Sequence, residues 1–277
     1  MNKLFELFGQ RTDEKADWKS TIEEQLCPYS NNKCFKTRKS DSDISIGTCT
    51  GRFGSSGRPL IICPHRFLAQ RQIFSDCLPL LRHVSGNELH IVREIQIPGG
   101  NVDYFLVTAR NGTPTDFVGI ELQGLDTTGS MWPARQAFLR EHGLVMDSDE
   151  DGGTNPGVNW KMTAKTILIQ IHHKIETFES LGQKFVLVLQ NDLMSYMKKA
   201  FSFGHLSEVP QKSDSMYFHS YALDEKDGSL SLDLVRTTNR AGIATALNLG
   251  ANAEMKPEEL VRKIQSKMSR HTHWRPV

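Results

Sequence analysis

Five consecutive apolar residues, Phe185 to Leu189 (FVLVL), stand directly after a stretch of helical periodicity that Gly182 closes. A run this short and this apolar offers water no polar face, so it reads as a strand buried on both sides of a sheet. The preceding stretch, Trp160 to Leu181, repeats apolar residues at helical spacing. A doubly covered strand reached through a helix calls for a parallel neighbour and a crossover connection. That requirement sets the class as α/β.

Upstream, three runs of strand character follow one another. Leu89 to Ile97 (LHIVREIQI) alternates and leads into Gly99-Gly100-Asn101; Val102 to Thr108 and Phe117 to Leu122 flank the polar turn from Asn111 to Pro114. This is the pattern of an antiparallel meander. A helix is expected over 12–26 and another over Phe67 to Val84, ended or kinked at Pro79. A hairpin is expected from Met216 to Arg236, a closing helix from Pro257 to about Met268, and an exposed acidic loop from Asp147 to Gly153. The resulting expectation is an α/β fold around a mixed central sheet, in the order helix, three-strand meander, helix, strand. It divides into a small N-terminal region, 1–66, and a larger domain, 67–277.

With 38 % hydrophobic and 23 % charged residues the chain has the composition of an ordered globular protein. The apolar patch Leu4, Phe5, Leu7 and Phe8 is too short for a secretory signal, and no stretch has the length of a membrane span, so a cytoplasmic protein is expected. In that compartment five cysteines read as metal ligands or buried thiols rather than disulfides. Net charge is only +1, but from Lys33 to Arg71 eight basic residues face Asp41 and Asp43 alone. That local excess suits a phosphate-contacting surface, and charge alone does not separate this from a solvated loop.

The chemistry-bearing residues sit in the meander. Asp103 lies on its second strand and Glu121 on its third, so a hairpin brings the two carboxylates side by side if both face one way; Gln123, two residues on, shares the face of Glu121. Two carboxylates with a neighbouring carbonyl, here that of Leu122, are hard oxygen ligands suited to Mg²⁺. A cation so held can polarise a phosphodiester and activate water. Solvent-facing acids at a sheet edge would give the same spacing, but Glu121 and Gln123 bracket Leu122 in an otherwise apolar run, where polar groups need a partner.

This arrangement resembles the PD-(D/E)xK nuclease core, with Gln123 where the lysine commonly stands. Glu121 to Asp126 (ELQGLD) further resembles the glutamate-x-glutamine-x-x-aspartate segment of the NotI restriction endonuclease family. The resemblance implies Asp103 and Glu121 as Mg²⁺ ligands, with Gln123 orienting water by hydrogen bonding and unable to supply positive charge. Two residues come into question beside them: Glu94 on the first strand as an additional acid, and Lys161 at the start of the long helix as the missing cation. Each also reads as a plain surface residue.

Cys27, Cys34, Cys49 and Cys63 are separated by six, fourteen and thirteen residues, each beside turn-forming residues. A tetrahedral metal site on such turns would order a Gly/Ser/Asn-rich segment whose periodicity predicts no core of its own. The segments Cys27-Pro28-Tyr29 with Cys34 and Lys36, then Gly47-Thr48-Cys49, then Ile62-Cys63-Pro64 with Arg66 resemble the N-terminal region of the same family, which implies a structural four-cysteine site for iron; thiolate softness suits iron or zinc. Cys77 is expected to be an ordinary buried thiol, and neither His172-His173 nor His271 with His273 is expected to form a metal pair. Taken together the resemblance implies a type II endonuclease, acting as a homodimer on double-stranded DNA at a short GC-rich palindrome. Base contacts are sought among Arg135, Lys212, Arg236, Asn239 and Arg240. The competing expectations are a metal-stabilised sequence-specific DNA-binding regulator without catalysis, and a repair or structure-selective nuclease.

Overall fold

The computed structural model describes residues 2–82, 88–144, 156–249 and 257–268. The chain opens with β1 (Leu4–Leu7), β2 (Gln10–Arg11) and α1 (Trp18–Glu24). Two small hairpins follow, β3 (Leu26–Cys27) with β4 (Asn32–Lys33) and β5 (Thr37–Arg38) with β6 (Asp41–Ser45). Strands β7 (Thr48–Phe53) and β8 (Arg58–Ile61) then complete a four-stranded sheet of order β2-β1-β7-β8. A 3-10 helix, Pro64–Arg71, runs into α2 (Gln72–Cys77) and a second 3-10 turn, Leu78–Leu80.

The remainder builds the central sheet and its helices. Strands β9 (Glu88–Ile97), β10 (Gly100–Arg110) and β11 (Thr113–Gln123) precede α3 (Trp132–Glu141) and α4 (Trp160–Ser180). After them come β12 (Lys184–Gln190), α5 (Asn191–Ala200), β13 (Met216–Leu223), β14 (Leu230–Thr238), α6 (Arg240–Ala246) and α7 (Pro257–Gln265). The six strands lie in the order β14-β13-β12-β11-β10-β9. Strands β9, β10 and β11 form an antiparallel meander, β12 is parallel to both β11 and β13, and β14 returns antiparallel. The fold is thus mixed α/β around a mixed sheet.

Strand β12 is enclosed on both faces, as its composition demands. Phe185, Leu187 and Leu189 join Ile167, Leu168, Ile171, Ile175 and Phe178 of α4 in one core. Val186 and Val188, on the opposite face by the period of a strand, pack with Phe67, Ile73, Phe74 and Cys77. Helix α4 starts where Asn159 caps it by accepting the Met162 amide, and the chain leaves it through Gly182 at φ +64°.

Three expectations need correction. The N-terminal region has a core: Leu4, Leu7, Phe8 and Trp18 are buried in the same cluster as α4, so the apolar patch is strand β1 and the region is not held by metal closure alone. Helix formation over 12–26 shrinks to α1, because Asp17 starts the helix by accepting the Ser20 amide and Gln25 ends it at a left-handed φ of 50°. The helix expected over Phe67 to Val84 breaks well before Pro79. Gln70 and Arg71 take left-handed φ values of 52° and 56°, whereas Pro79 sits in the first turn of Leu78–Leu80, where its missing N–H costs nothing. The acidic stretch from Asp147 to Gly153, and His271 with His273, lie outside the described residues.

Candidate active site

Residues Tyr104 and Ile120 are the last matched pair of the β10–β11 ladder toward the open end of the hairpin. One step further stand Asp103 and Glu121. There the side chain of Asp103 replaces the ladder: its Oδ2 accepts the Leu122 amide at 2.8 Å. Glu121 lies opposite Leu187 of β12, only 7 % exposed. The two carboxylates therefore come together at the point where the meander meets the parallel strand.

A third charge joins them that the motif does not contain. Lys174, 4 % exposed, projects from the inner face of α4 and its Nζ donates to Glu121 Oε1 at 2.7 Å. Glu121 Oε2 is buried without a hydrogen-bond partner. Burial, reinforced by repulsion from Asp103 and opposed by Lys174, pushes the Glu121 carboxyl up to about 7. Burial also raises Asp103, against the pull of the Leu122 amide and of Lys174. A buried carboxylate oxygen with no donor beside a second carboxylate suits a hard divalent cation.

The turn joining β9 to β10 fixes the approach of α4. Gly99 has φ +98°, and a Cβ there would stand 2.4 Å from the His173 carbonyl oxygen; one on Gly100 would stand 3.4 Å from Lys174 Cε. The turn is thus seated on the helix at the residue that reaches Glu121.

Asp103 lines an open cavity of about 400 Å³ together with Glu94, Arg93, Tyr104, Leu122, Lys33, Phe35 and His65. Glu94 is exposed and also lines this cavity. It holds a left-handed φ of 51° between the matched pairs Arg93–Tyr104 and Ile95–Val102, and its charge helps raise Asp103. Lys161 is exposed in the first turn of α4, thirteen residues before Lys174, so at the helical rise it lies roughly 20 Å away along the axis. It thus stands well along the helix from the residue that reaches Glu121. Gln123 turns its Nε2 onto the neighbouring Gly124 carbonyl. Gly124 itself touches the chain at Ile62, where a Cβ would stand 2.9 Å from the carbonyl oxygen, and the Leu125 amide donates to Ile61, tying the end of β11 to the cysteine region.

All four cysteines of that region are buried free thiols. Burial, reinforced by neighbouring thiols, raises Cys34 and Cys49, and burial pushes Cys63 up to about 11. Burial also acts on Cys27, but hydrogen bonds with His65 and Ser30 outweigh it and bring it down to about 7. Among the described residues no group of three or more His, Cys, Asp or Glu side chains is placed to hold a metal ion, so the expected tetrahedral cluster is not formed by the thiols as they stand. Cys77 is buried, as expected, 4.0 Å from His219 Nδ1.

The basic stretch does not make one surface. Arg66 is buried against Glu6, Arg58 pairs with Asp192 at 2.7 Å, and Lys33 reaches the cavity of Asp103. Of the residues considered for base contact, Arg135 is buried on α3, Arg236 pairs with Glu208, Asn239 caps α6 and Arg240 pairs with Glu176; Lys212 is exposed in a loop. Arg236, Asn239 and Arg240 are thus engaged within the chain, whereas the buried Arg135 keeps its Nε without a hydrogen-bond partner. His172 and His173 stand on adjoining faces of α4 and form no metal group. No helix among the described residues is long and apolar enough to cross a membrane.

Sequence comparison adds one finding. The family model described as restriction endonuclease NotI matches residues 15–229, a span holding Asp103, Glu121, Gln123, Lys174 and all four N-terminal cysteines. No curated protein matches the chain.

Proposed function

The chain belongs to the restriction endonuclease NotI family, and from that premise we propose that it hydrolyses double-stranded DNA at a short GC-rich palindrome, using Mg²⁺ held by Asp103 and Glu121. Membership makes it a restriction endonuclease acting on DNA; the metal, the residues and the base composition of the site are the proposal. The observation that carries it is the unpartnered, buried Oε2 of Glu121 beside Asp103. The meander followed by α4 and a parallel β12 supports the PD-(D/E)xK reading of this pair. When bound, Mg²⁺ would polarise the phosphodiester, acidify the attacking water and stabilise the leaving oxygen.

The chain's own groups do the rest. The Leu122 amide fixes one oxygen of Asp103, and Lys174 fixes one oxygen of Glu121. Gln123, its Nε2 engaged by Gly124, has its Oε1 as the acceptor with which to orient water. Lys33 and Arg93 at the cavity supply positive charge for the DNA backbone, and Glu94 adds an acid at its rim. A palindrome has two-fold symmetry, so a homodimer presenting one such site to each strand is the matching assembly. The division of labour proposed is a cysteine-bearing region, 1–66, and a nuclease domain, 67–277, sharing one core.

Cys27, Cys34, Cys49 and Cys63 are the residues that would hold a structural iron or zinc. What supports this is four free, buried thiols in one small region, soft donors whose thiolate forms would repel one another and would be stabilised by a cation; the thiols as placed stand apart from a ligating arrangement. Elemental analysis checks it. Cys49→Ser is expected to lose about one bound metal per chain and to unfold at lower temperature, and unchanged metal content removes the site.

The regulator reading is separated by one experiment. Protein incubated with DNA in EDTA is expected to retard it on a gel and then to cut it once Mg²⁺ is added. Retarded but intact DNA under both conditions would favour the regulator, and fragments in EDTA would exclude the metal.

A further inference from the structure

The geometry points to a role for Lys174 beyond the motif residues: we propose that it is a positioning residue, supplying from α4 the positive charge that Gln123 lacks and pinning one oxygen of Glu121 so that the other faces the cation. This rests on the reading of Asp103 and Glu121 as cation ligands.

Four observations carry it. The ion pair is short, 2.7 Å, and both partners are almost wholly buried. Its geometry is selective: Nζ takes Oε1 and leaves Oε2 without a partner. The lysine occupies a core position, since Ile167, Ile171 and Phe178 of the same α4 stripe pack against the sheet and Lys174 falls between the last two at helical spacing. The glycine turn Gly99-Gly100 is seated against α4 at His173 and Lys174, and the strand it opens carries Asp103 three residues later. One contact therefore sets the lysine, and through it Glu121, relative to the other carboxylate.

Stability alone does not account for the lysine. A pair of apolar side chains of similar volume would pack there without the desolvation of two charges. A cation site gives the pair a use: one positive charge offsets the repulsion between the carboxylates while they wait for the ion, and the fixed oxygen removes a rotation that binding would otherwise have to freeze. At 4 % exposure the lysine does not itself reach a phosphate, which is why it acts through Glu121.

The test titrates Ca²⁺ into the full-length protein without DNA by calorimetry, for the unmodified chain and for K174M, K174R and E121Q, and measures Mg²⁺-dependent cleavage alongside. K174M is expected to weaken Ca²⁺ binding, and to slow cleavage at saturating Mg²⁺, each by roughly 10–100-fold, the range for removing a hydrogen-bonded partner of a metal ligand. K174R, which keeps charge and donors, is expected to recover most of both. Affinity unchanged or raised in K174M overturns the proposal, even where the variant melts earlier, because removing a positive charge that merely packs beside the carboxylates would leave cation affinity as it is or raise it. If K174M does not fold, K174Q, which keeps a donor without the charge, is read by the same criterion. An unmodified protein that binds no Ca²⁺, or an E121Q variant that binds it normally, instead overturns the carboxylate reading on which the proposal rests.

Discussion

Replacing Glu121 with glutamine is expected to lower DNA cleavage by about a thousandfold or more, because a catalytic divalent cation contributes several kcal/mol at the transition state and each 1.36 kcal/mol is a factor of ten. The exchange keeps volume and an acceptor for Lys174, so the packing of β11 against β12 is retained. What is removed is the charge on the oxygen that no protein donor satisfies. Cleavage rates at saturating Mg²⁺, with thermal unfolding as the control for folding, decide the matter: full activity in a folded variant removes Glu121 from the chemistry. The sign of the pH dependence follows from the same environment. With the carboxyl held up near 7 by burial and by Asp103, the proton competes with the cation for Glu121. Cation binding and cleavage should therefore strengthen as pH rises through 7.

The largest expected loss of stability comes from Arg66→Ala. Arg66 Nε donates to Glu6 Oε2 at 2.7 Å and to Oε1 at 2.9 Å, its terminal amine donates to the Gly228 carbonyl, and the Thr50 hydroxyl donates to the same glutamate. Both charged residues are nearly inaccessible, at 4 % and 2 % exposure. Removing one leaves a buried charge unpaired, which typically costs about 3–5 kcal/mol. At roughly 2–4 °C per kcal/mol for a chain of this length, the melting temperature should fall by on the order of 10 °C. A fall of under about 2 °C in a thermal scan would contradict this reading of the pair, since such a shift corresponds to less than about 1 kcal/mol. The double replacement Glu6→Leu with Arg66→Met should regain much of the loss, since neither charge is then stranded.

The parts of the fold that could be read from sequence are those whose burial imposes a period. FVLVL, enclosed on both faces, and α4, with its stripe of Ile167, Ile171 and Phe178, place the crossover; the alternating runs give the meander. From that frame alone, Asp103 and Glu121 fall beside each other across one hairpin. The N-terminal sheet was illegible because its strands are short and because β1 pairs with β7, some forty residues downstream, so no local pattern announces it. Helices α3 and α5 were missed beside it: α3 begins at Trp132-Pro133 in a loop-like context, and α5 is only ten residues long.

The site itself was half visible. Basic residues looked like a surface, yet Arg66 is consumed inside the protein by Glu6, a partner sixty residues earlier. The sequence offers Lys161 as a cation from its place near the start of α4, whereas Lys174 carries the charge because it sits on the buried stripe. A lysine at an apolar position of a helix was the signal available, and it was obscured by the adjoining His172 and His173, which make that turn look polar all round. Glu94 reaches the cavity through a left-handed backbone break inside β9, a feature without any sequence marker at a glutamate.

The most direct measurement is the sequencing of DNA ends after incubation of the purified protein with a large unmethylated DNA of known sequence and Mg²⁺. Discrete fragments whose ends all fall at one GC-rich palindrome are the expected result, and none when EDTA replaces Mg²⁺. Ends scattered without a shared sequence, or DNA that stays whole while the protein binds it, would contradict the proposed function.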